Sequence, residues 1–404
     1  MAHPAAYWRT SAVVLLGCFV CQVGLGCGYV FGAVLKHIVA EFEWSRTAFS
    51  VASAPVLVAM GLGAALAGQL VERVGARTVL SVSTLLLGLS LWLFSRMDSL
   101  WQFYLNSTLF GLAMAGLGDV VVGAVASRWI EGRRGLALAM VFVGSNVGGA
   151  VVPVGADAIA AAWSWRAALA TTAVGAVVLV LPFALFAIRE PTGAPAVGPS
   201  TRRGLPADGH EGDLDLRAAM RTRSFWILAA LLFSFYLYYL AVTQHLIAFL
   251  SDAGFSNARA AASLSVAVAL GIVSKIAAGA LADRFSPVRL LIANFTVLTA
   301  ASVALLLVDA PGVLPAFLVA HGLATAAENV VFPLVVIDCF GVTHMARIFG
   351  ALSVALFPGG VLGPIVAGGS LDWLGDYRFA FAAFALLNAA SLVSLAGLRR
   401  ERGR

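Results

Sequence analysis

The sequence predicts an all-α membrane protein: twelve transmembrane helices in two pseudo-symmetric six-helix bundles, residues 1–188 and 223–404, joined by a linker at 189–222. Three observations carry that expectation. The 404 residues are 61% hydrophobic and 11% charged, with a mean hydropathy of +0.94, whereas a soluble domain carries about 25% charged residues. Apolar stretches recur twelve times along the chain, each near or above the roughly 20 residues that a bilayer-spanning helix needs. One long polar stretch separates six of them from the other six, and a loop pattern repeats on either side of it.

The first stretch, 10–35, is too long for a signal peptide, lacks a small-residue cleavage site and is followed by eleven more spans, so it reads as retained. It holds Cys18, Cys21 and Cys27; no second cysteine pair or histidine accompanies the CxxC-like spacing, and small apolar packing is the better reading. Spans 2 (47–70) and 3 (78–95) flank a short charged loop, and span 4 (101–127) carries Asp119. Span 5 (135–160) bears Gly144, Gly148 and Gly149 before Pro153, and span 6 (166–188) has no interior charge. The linker is rich in Pro, Gly, Asp and Arg, which suits a flexible tether; from Asp213 the pattern suggests a short amphipathic surface helix. Span 7 (223–250) contains Tyr236, Tyr238, Tyr239 and His245, span 8 (258–282) contains Lys275, and span 9 (288–308) has no ionisable interior residue. Span 10 (312–339) contains His321 and Glu328, span 11 (347–371) has Gly359, Gly363, Gly368 and Gly369 around Pro364, and span 12 (377–398) is uncharged inside. These segments must be helices, because barrel strands would appear as short alternating segments. The glycine faces suit either tight helix packing or a moving, gating surface.

The basic residues set an orientation. Nineteen of the 26 lysines and arginines fall on one face of this topology and six on the other, with Lys275 inside. By the positive-inside rule both termini are expected in the cytoplasm, in a multi-pass protein of the cell inner (plasma) membrane. The net charge of +6 is then an orientation signal, with the lipid bilayer as partner and no nucleic acid. No Gly-rich phosphate loop, metal-ligand cluster or nucleophile–base set is present, so neither an enzyme nor a cofactor or metal is expected.

An ionisable side chain near a bilayer centre costs about 2.5–3.5 kcal/mol on insertion scales and is a functional candidate by default. Away from helix ends these are Asp119, His245, Lys275, His321 and Glu328. At about 1.5 Å per residue, Lys275 lies about 12 Å, Asp119 about 13 Å and Glu328 about 16 Å from the basic face. His245 lies nearer the opposite face. A buried cation can anchor a carboxylate, so Lys275 is the leading substrate-binding candidate; the other reading pairs it structurally with Asp119 or Glu328. His245 can shuttle protons or donate to a carboxylate, or serve as an interfacial residue. Tyr29, Asn146 and Asn329 are lesser binding candidates, with Gln22 beside them; lone polar groups on such helices more often join helices.

The loop "GQLVERVGARTVL" (68–80) after span 2 is echoed by "GALADRFSPVRLL" (279–291) after span 8, each placing an acid and an arginine at the same offsets: Glu72–Arg73 and Asp283–Arg284. Such a repeat of architecture marks paired halves, and the four residues form a candidate cytoplasmic gate. These loops resemble the signature of the major facilitator superfamily. "FEWSRTAFS" (42–50), "WIEGRRGLALAMVFVGSNVGG" (129–149), "WSWRAAL" (163–169) and "FPGGVLGPIVAGGSLDWLGDYRFAF" (357–381) are similar to its monocarboxylate transporter branch and the oxalate/formate relatives of that branch.

The resemblance implies alternating access, a cavity lined by spans 1, 2, 4, 5, 7, 8, 10 and 11, and spans 3, 6, 9 and 12 facing lipid. Every deep charge then falls on a cavity helix. It also implies that Lys275 stands where the family has a substrate-binding arginine, while the aspartate carried one turn earlier by animal members is Gly271 here. Asp119 and Glu328 outweigh Lys275 in charge. If one acid is protonated when substrate is bound, the protein is a proton symporter of a small organic anion such as a monocarboxylate. If both stay charged, a cationic or amphipathic compound exchanged for protons fits; organic anion exchange is a further alternative. A non-transporting sensor would need a signalling domain that these loops are too short to hold.

Overall fold

A computed structural model describes residues 4–43, 53–130, 133–190 and 212–401. The described residues form helices that match the expected spans in order. Span 1 is built from Pro4–Leu25, a 3-10 turn at Gly26–Tyr29 and Val30–Phe42; spans 2 and 3 are Ser53–Val74 and Ala76–Ser95. Span 4 is two helices, Leu100–Leu117 and Asp119–Trp129, followed by span 5 at Arg134–Ala162 and span 6 at Trp165–Phe186. Spans 7 to 10 are Arg223–Asp252, Asn257–Ala282, Pro287–Leu306 and Val313–Phe340. Span 11 is Met345–Ser353 plus Leu356–Leu374, and span 12 is Arg378–Ser394. Among the described residues eleven of these spans are long and apolar enough to cross a bilayer, and span 8 contributes the shorter apolar stretch Ala269–Ala282. The protein is a multi-pass membrane protein. Pro153 and Pro364 interrupt neither of their helices.

The 191–211 part of the linker and the 44–50 part of the "FEWSRTAFS" motif lie outside the described residues. Beyond the linker, the expected amphipathic helix is a single turn, Leu216–Ala219, capped by the Asp215 carboxylate on Ala218 N–H at 2.7 Å. The Asp213 carboxylate accepts from the Val342 and Thr343 N–H groups, both at 3.1 Å, and from the Thr343 hydroxyl at 2.6 Å.

Two compact units emerge: Met1–Gly132, Met140–Glu211 and His344–Ala351 in the first; Arg133–Ala139, Gly212–Thr343 and Leu352–Arg404 in the second. This grouping departs from a division at the linker in two short pieces, the first turns of spans 5 and 11. Backbone proximity explains both. A Cβ on Gly135 would lie 2.3 Å from the Gly279 carbonyl oxygen, and one on Gly68 would lie 2.2 Å from that of Ala346.

Each unit repeats one plan. In the first, a Cβ on Gly148 would sit 2.2 Å from the Val23 oxygen and one on Gly144 would sit 2.4 Å from the Phe19 oxygen, so span 5 lies directly on the span 1 backbone. In the second, Gly363 and Gly359 press equally closely on the Leu237 and Phe233 oxygens, joining span 11 to span 7. Lipid supplies no hydrophobic drive between helices, and close backbone approach supplies the attraction instead. These glycines are therefore packing seams within a unit, one of the two readings open from sequence. Gly368 and Gly369 make only ordinary contacts, with His245 and Trp373.

The helix ends are tied in parallel ways. At the sparsely basic face of the first unit, Arg166 opens span 6 and pairs with Glu41, with Asp98 at 3.7 Å, beneath a cation–π contact to Trp165. The Trp165 indole and the Arg166 guanidinium hold the Glu41 carboxyl below the usual carboxylate range. In the second unit Arg378 opens span 12 and pairs with Asp309. At the arginine-rich face, the Trp129 indole donates to the Arg189 carbonyl at 2.7 Å, and Arg400 bonds Asp338 at 3.0 Å.

Candidate functional site

In the first unit, Asp119 stands where span 4 is discontinuous. Gly118 is extended (φ −74°, ψ −178°), and Asp119 begins the second half-helix. The first turn of a helix favours negative charge, and discontinuous spans build mid-membrane sites in secondary transporters. The Gln22 amide of span 1 donates to Asp119 Oδ1 at 3.0 Å. Gln22 is fully buried and its Oε1 has no hydrogen-bond partner. Tyr29 lies in the 3-10 turn that interrupts span 1, 60% exposed, its ring against Gly149. Asn146 is half-buried on the same span as Gly149.

In the second unit, Lys275 is only 4% exposed. Its position follows from how spans 8 and 10 meet. A Cβ on Gly322 would lie 2.6 Å from the Ala267 oxygen, and one on Gly271 would lie 3.1 Å from the Ala326 Cβ. Ser274, beside Lys275, donates to the Leu323 carbonyl. Gly271, where the resemblance implied an aspartate in animal relatives, is thus taken up by helix contact. Glu328 on span 10 is 3% exposed. It follows His321 by seven residues, two turns along one helix face, and His321 Nδ1 meets the Tyr238 hydroxyl of span 7 at 2.9 Å. Asn329, next to Glu328, is half-buried. His245 Nε2 lies 3.2 Å from the Pro364 carbonyl and its ring is 5.3 Å from that of Tyr377, so one nitrogen ties span 7 to span 11.

The candidate gate residues divide by charge. The Asp283 carboxylate accepts from Gly135 N–H at 2.8 Å and Leu136 N–H at 3.1 Å, which caps the start of span 5. Glu72, 8% exposed, meets His344 Nδ1 at 3.2 Å and Arg347 Nη1 at 3.7 Å, at the start of span 11. Arg73 and Arg284 are exposed and enter no ion pair among the described residues. The acids make the contacts; their neighbouring arginines do not.

The sequence ranks Gln22 low and assigns Tyr238 no role. Tyr238 is fully buried and bonded to His321. The signal for Gln22 was a carboxamide on a glycine-rich span expected to line the cavity, and the signal for the break in span 4 was the Gly118–Asp119 pair, a helix interrupter followed by a first-turn acid.

Two six-helix units with interrupted spans, buried charges at mid-span and acids capping neighbouring helices define a membrane-embedded secondary transporter. The family model of the Major Facilitator Superfamily matches residues 14–319 and 276–404, and the chain belongs to that superfamily. Monocarboxylate transporter 13 of Rattus norvegicus is 26% identical over 388 residues, covering 95% of this chain and 88% of that protein. The MFS-type transporter YhjX of Escherichia coli is 27% identical over 365 residues, covering 86% and 85%. The crystal structure of the E. coli fucose:proton symporter FucP has a TM-score of 0.76 at 14% identity, covering 97% of this chain and 99% of that one, a likeness of fold.

Proposed function

We propose that this transporter moves a small organic anion, such as a monocarboxylate, together with a proton across the plasma membrane, with both termini in the cytoplasm. The observation that carries this reading is Lys275, an ammonium almost wholly removed from water on a helix of an apolar bundle. The similarity to a monocarboxylate transporter supports the substrate class. Lys275 anchors the carboxylate, with His245, Tyr29, Asn146 and Asn329 as secondary ligands, and Asp119 or Glu328 carries the proton. The division into residues 1–188 and 223–404 is the proposed mechanical one.

A thermal-shift screen of purified protein against mono-, di- and tricarboxylates and organic cations at two pH values tests the substrate class, since a ligand that binds the folded state raises its apparent stability. Stabilisation by cations alone would select antiport of a cationic compound. Uptake should rise as external pH falls and collapse with a protonophore. Asp119→Asn or Glu328→Gln should abolish that pH response while exchange of labelled substrate continues. Uptake that ignores pH in the wild type would replace symport by anion exchange.

Asp283 and Glu72 serve as a cytoplasmic latch in this reading. A carboxylate at a helix N-terminus contributes about 0.3–1 kcal/mol, so Asp283→Asn should change the resting population by about fivefold at most. The expected result is an active transporter with an altered maximal rate and faster labelling of single cysteines at the arginine-rich end of span 5. Unchanged labelling would leave Asp283 a role in topology alone.

A further inference from the structure

The buried Gln22 amide is half used. Its Nε2 donates to Asp119 Oδ1 at 3.0 Å, while Oε1 on the same planar group has no partner although Gln22 is fully buried. Buried acceptors are nearly always satisfied, and one that is not calls for an explanation. Facing an ionised carboxylate, which only accepts, an amide can use its N–H and leaves its oxygen idle. Facing a protonated carboxyl, it can use both, because the acid O–H donates to Oε1 while Nε2–H donates to the other carboxyl oxygen. We propose that Gln22 is the acceptor for the proton carried on Asp119, closing a two-bond acid–amide ring when the proton binds and reopening it when the proton leaves.

The proton adds to Asp119 Oδ2, and its release to water at the end of the cycle restores the arrangement seen here. Gly144 of span 5 packs on the base of the Gln22 side chain, since a Cβ there would lie 2.9 Å from Gln22 Cβ. The other ionisable groups on spans 1 and 4 include the buried thiols Cys18, Cys21 and Cys27 and the phenol of Tyr29, with Tyr7, Arg9, Lys36 and His37 toward the ends of span 1 and Tyr104 in the first turns of span 4. Glu72 and Arg73 on span 2, Arg77 on span 3 and Arg128 on span 4 lie at the arginine-rich helix ends. The other described carboxylates of this unit, Glu41, Glu43, Asp98, Asp157 and Glu190, sit near or beyond helix ends. Gln22 is therefore a positioning residue for the proton; the assignment rests on Asp119 carrying it.

Infrared difference spectra between acid and neutral pH, taken on purified protein in lipid, test both statements. A protonated-carboxyl band that vanishes in Asp119→Asn is expected, and it should shift in frequency in Gln22→Met. In uptake, Gln22→Met should shift the pH midpoint, because it removes both the donor to the ionised carboxylate and the acceptor for the bound proton. Gln22→Glu, which keeps the size, should move it up, because two facing carboxyls hold one proton tightly. A wild type without an Asp119-dependent band overturns Asp119 as carrier. A band that is present but unmoved in Gln22→Met overturns Gln22 as the acceptor and leaves the carrier reading standing. If Gln22→Met does not fold, a midpoint in Gln22→Glu that fails to rise overturns it equally.

Discussion

Lys275→Ala is expected to abolish carboxylate uptake while the protein still folds and inserts. A charge-assisted hydrogen bond contributes about 1.5–3 kcal/mol net, so losing it weakens anion binding by about 10- to 150-fold. Removing an ammonium from an apolar span favours insertion, by up to about 2.5–3.5 kcal/mol at the centre. Lys275→Arg keeps the charge and should retain part of the uptake, limited by a larger head in a closely packed site. Size-exclusion profiles and labelled-substrate uptake in proteoliposomes provide the check, and undiminished uptake in Lys275→Ala would remove the assignment. The structural-pair reading predicts a different pattern. Removing one member of a buried pair is strongly destabilising, and Glu328→Gln should then restore stability to Lys275→Ala. If Lys275 is a substrate anchor, the double variant stays inactive whatever its stability.

Gly279→Leu should have the second large effect, greater than that of Asp283→Asn. A Cβ at position 279 would lie 2.5 Å from both the Ala139 Cβ and the Gly135 oxygen, and a Cβ at Gly135 would lie 2.8 Å from the Ala282 Cβ. Backbone stands on the far side, so side-chain rotation cannot relieve the overlap. Overpacking costs typically about 1–3 kcal/mol, against about 0.3–1 kcal/mol for the charge at the helix start. The start of span 5 should be displaced from the end of span 8. A cysteine at Ala282 should then react at least about fivefold faster with a membrane-permeant thiol reagent, over a low background because the four native thiols are buried. Equal reactivity with and without Gly279→Leu would show that this seam does not close the helices together.

The acids at 72 and 283 show where sequence reading stopped. Their repeat was legible, and so was a role at helix ends. Their partners were not, because Asp283 binds backbone N–H groups that no residue type announces, and Glu72 reaches His344 across 272 positions. The candidate gate grouped each acid with its neighbouring arginine, whereas Arg73 and Arg284 sit exposed on the arginine-rich face and the acids make the contacts. Likewise the small residues of spans 5 and 11 announced a face without saying whether it packs or moves. Contact with the Val23 and Leu237 backbones decided that they pack.

The sequence by itself determined the twelve spans, the paired halves, the deep ionisable residues and the superfamily, since a membrane helix must be apolar over its whole length and must satisfy its backbone internally. Those are local properties, readable residue by residue. Only the tertiary structure decided that span 4 breaks before Asp119, that Gln22 lies against that carboxylate 97 positions away, that Tyr238 bonds His321, and that Gly271 packs on span 10. Each depends on the relative rotation and register of separate helices. In lipid these are set by close steric fit between faces, a property of two surfaces together that neither helix carries alone.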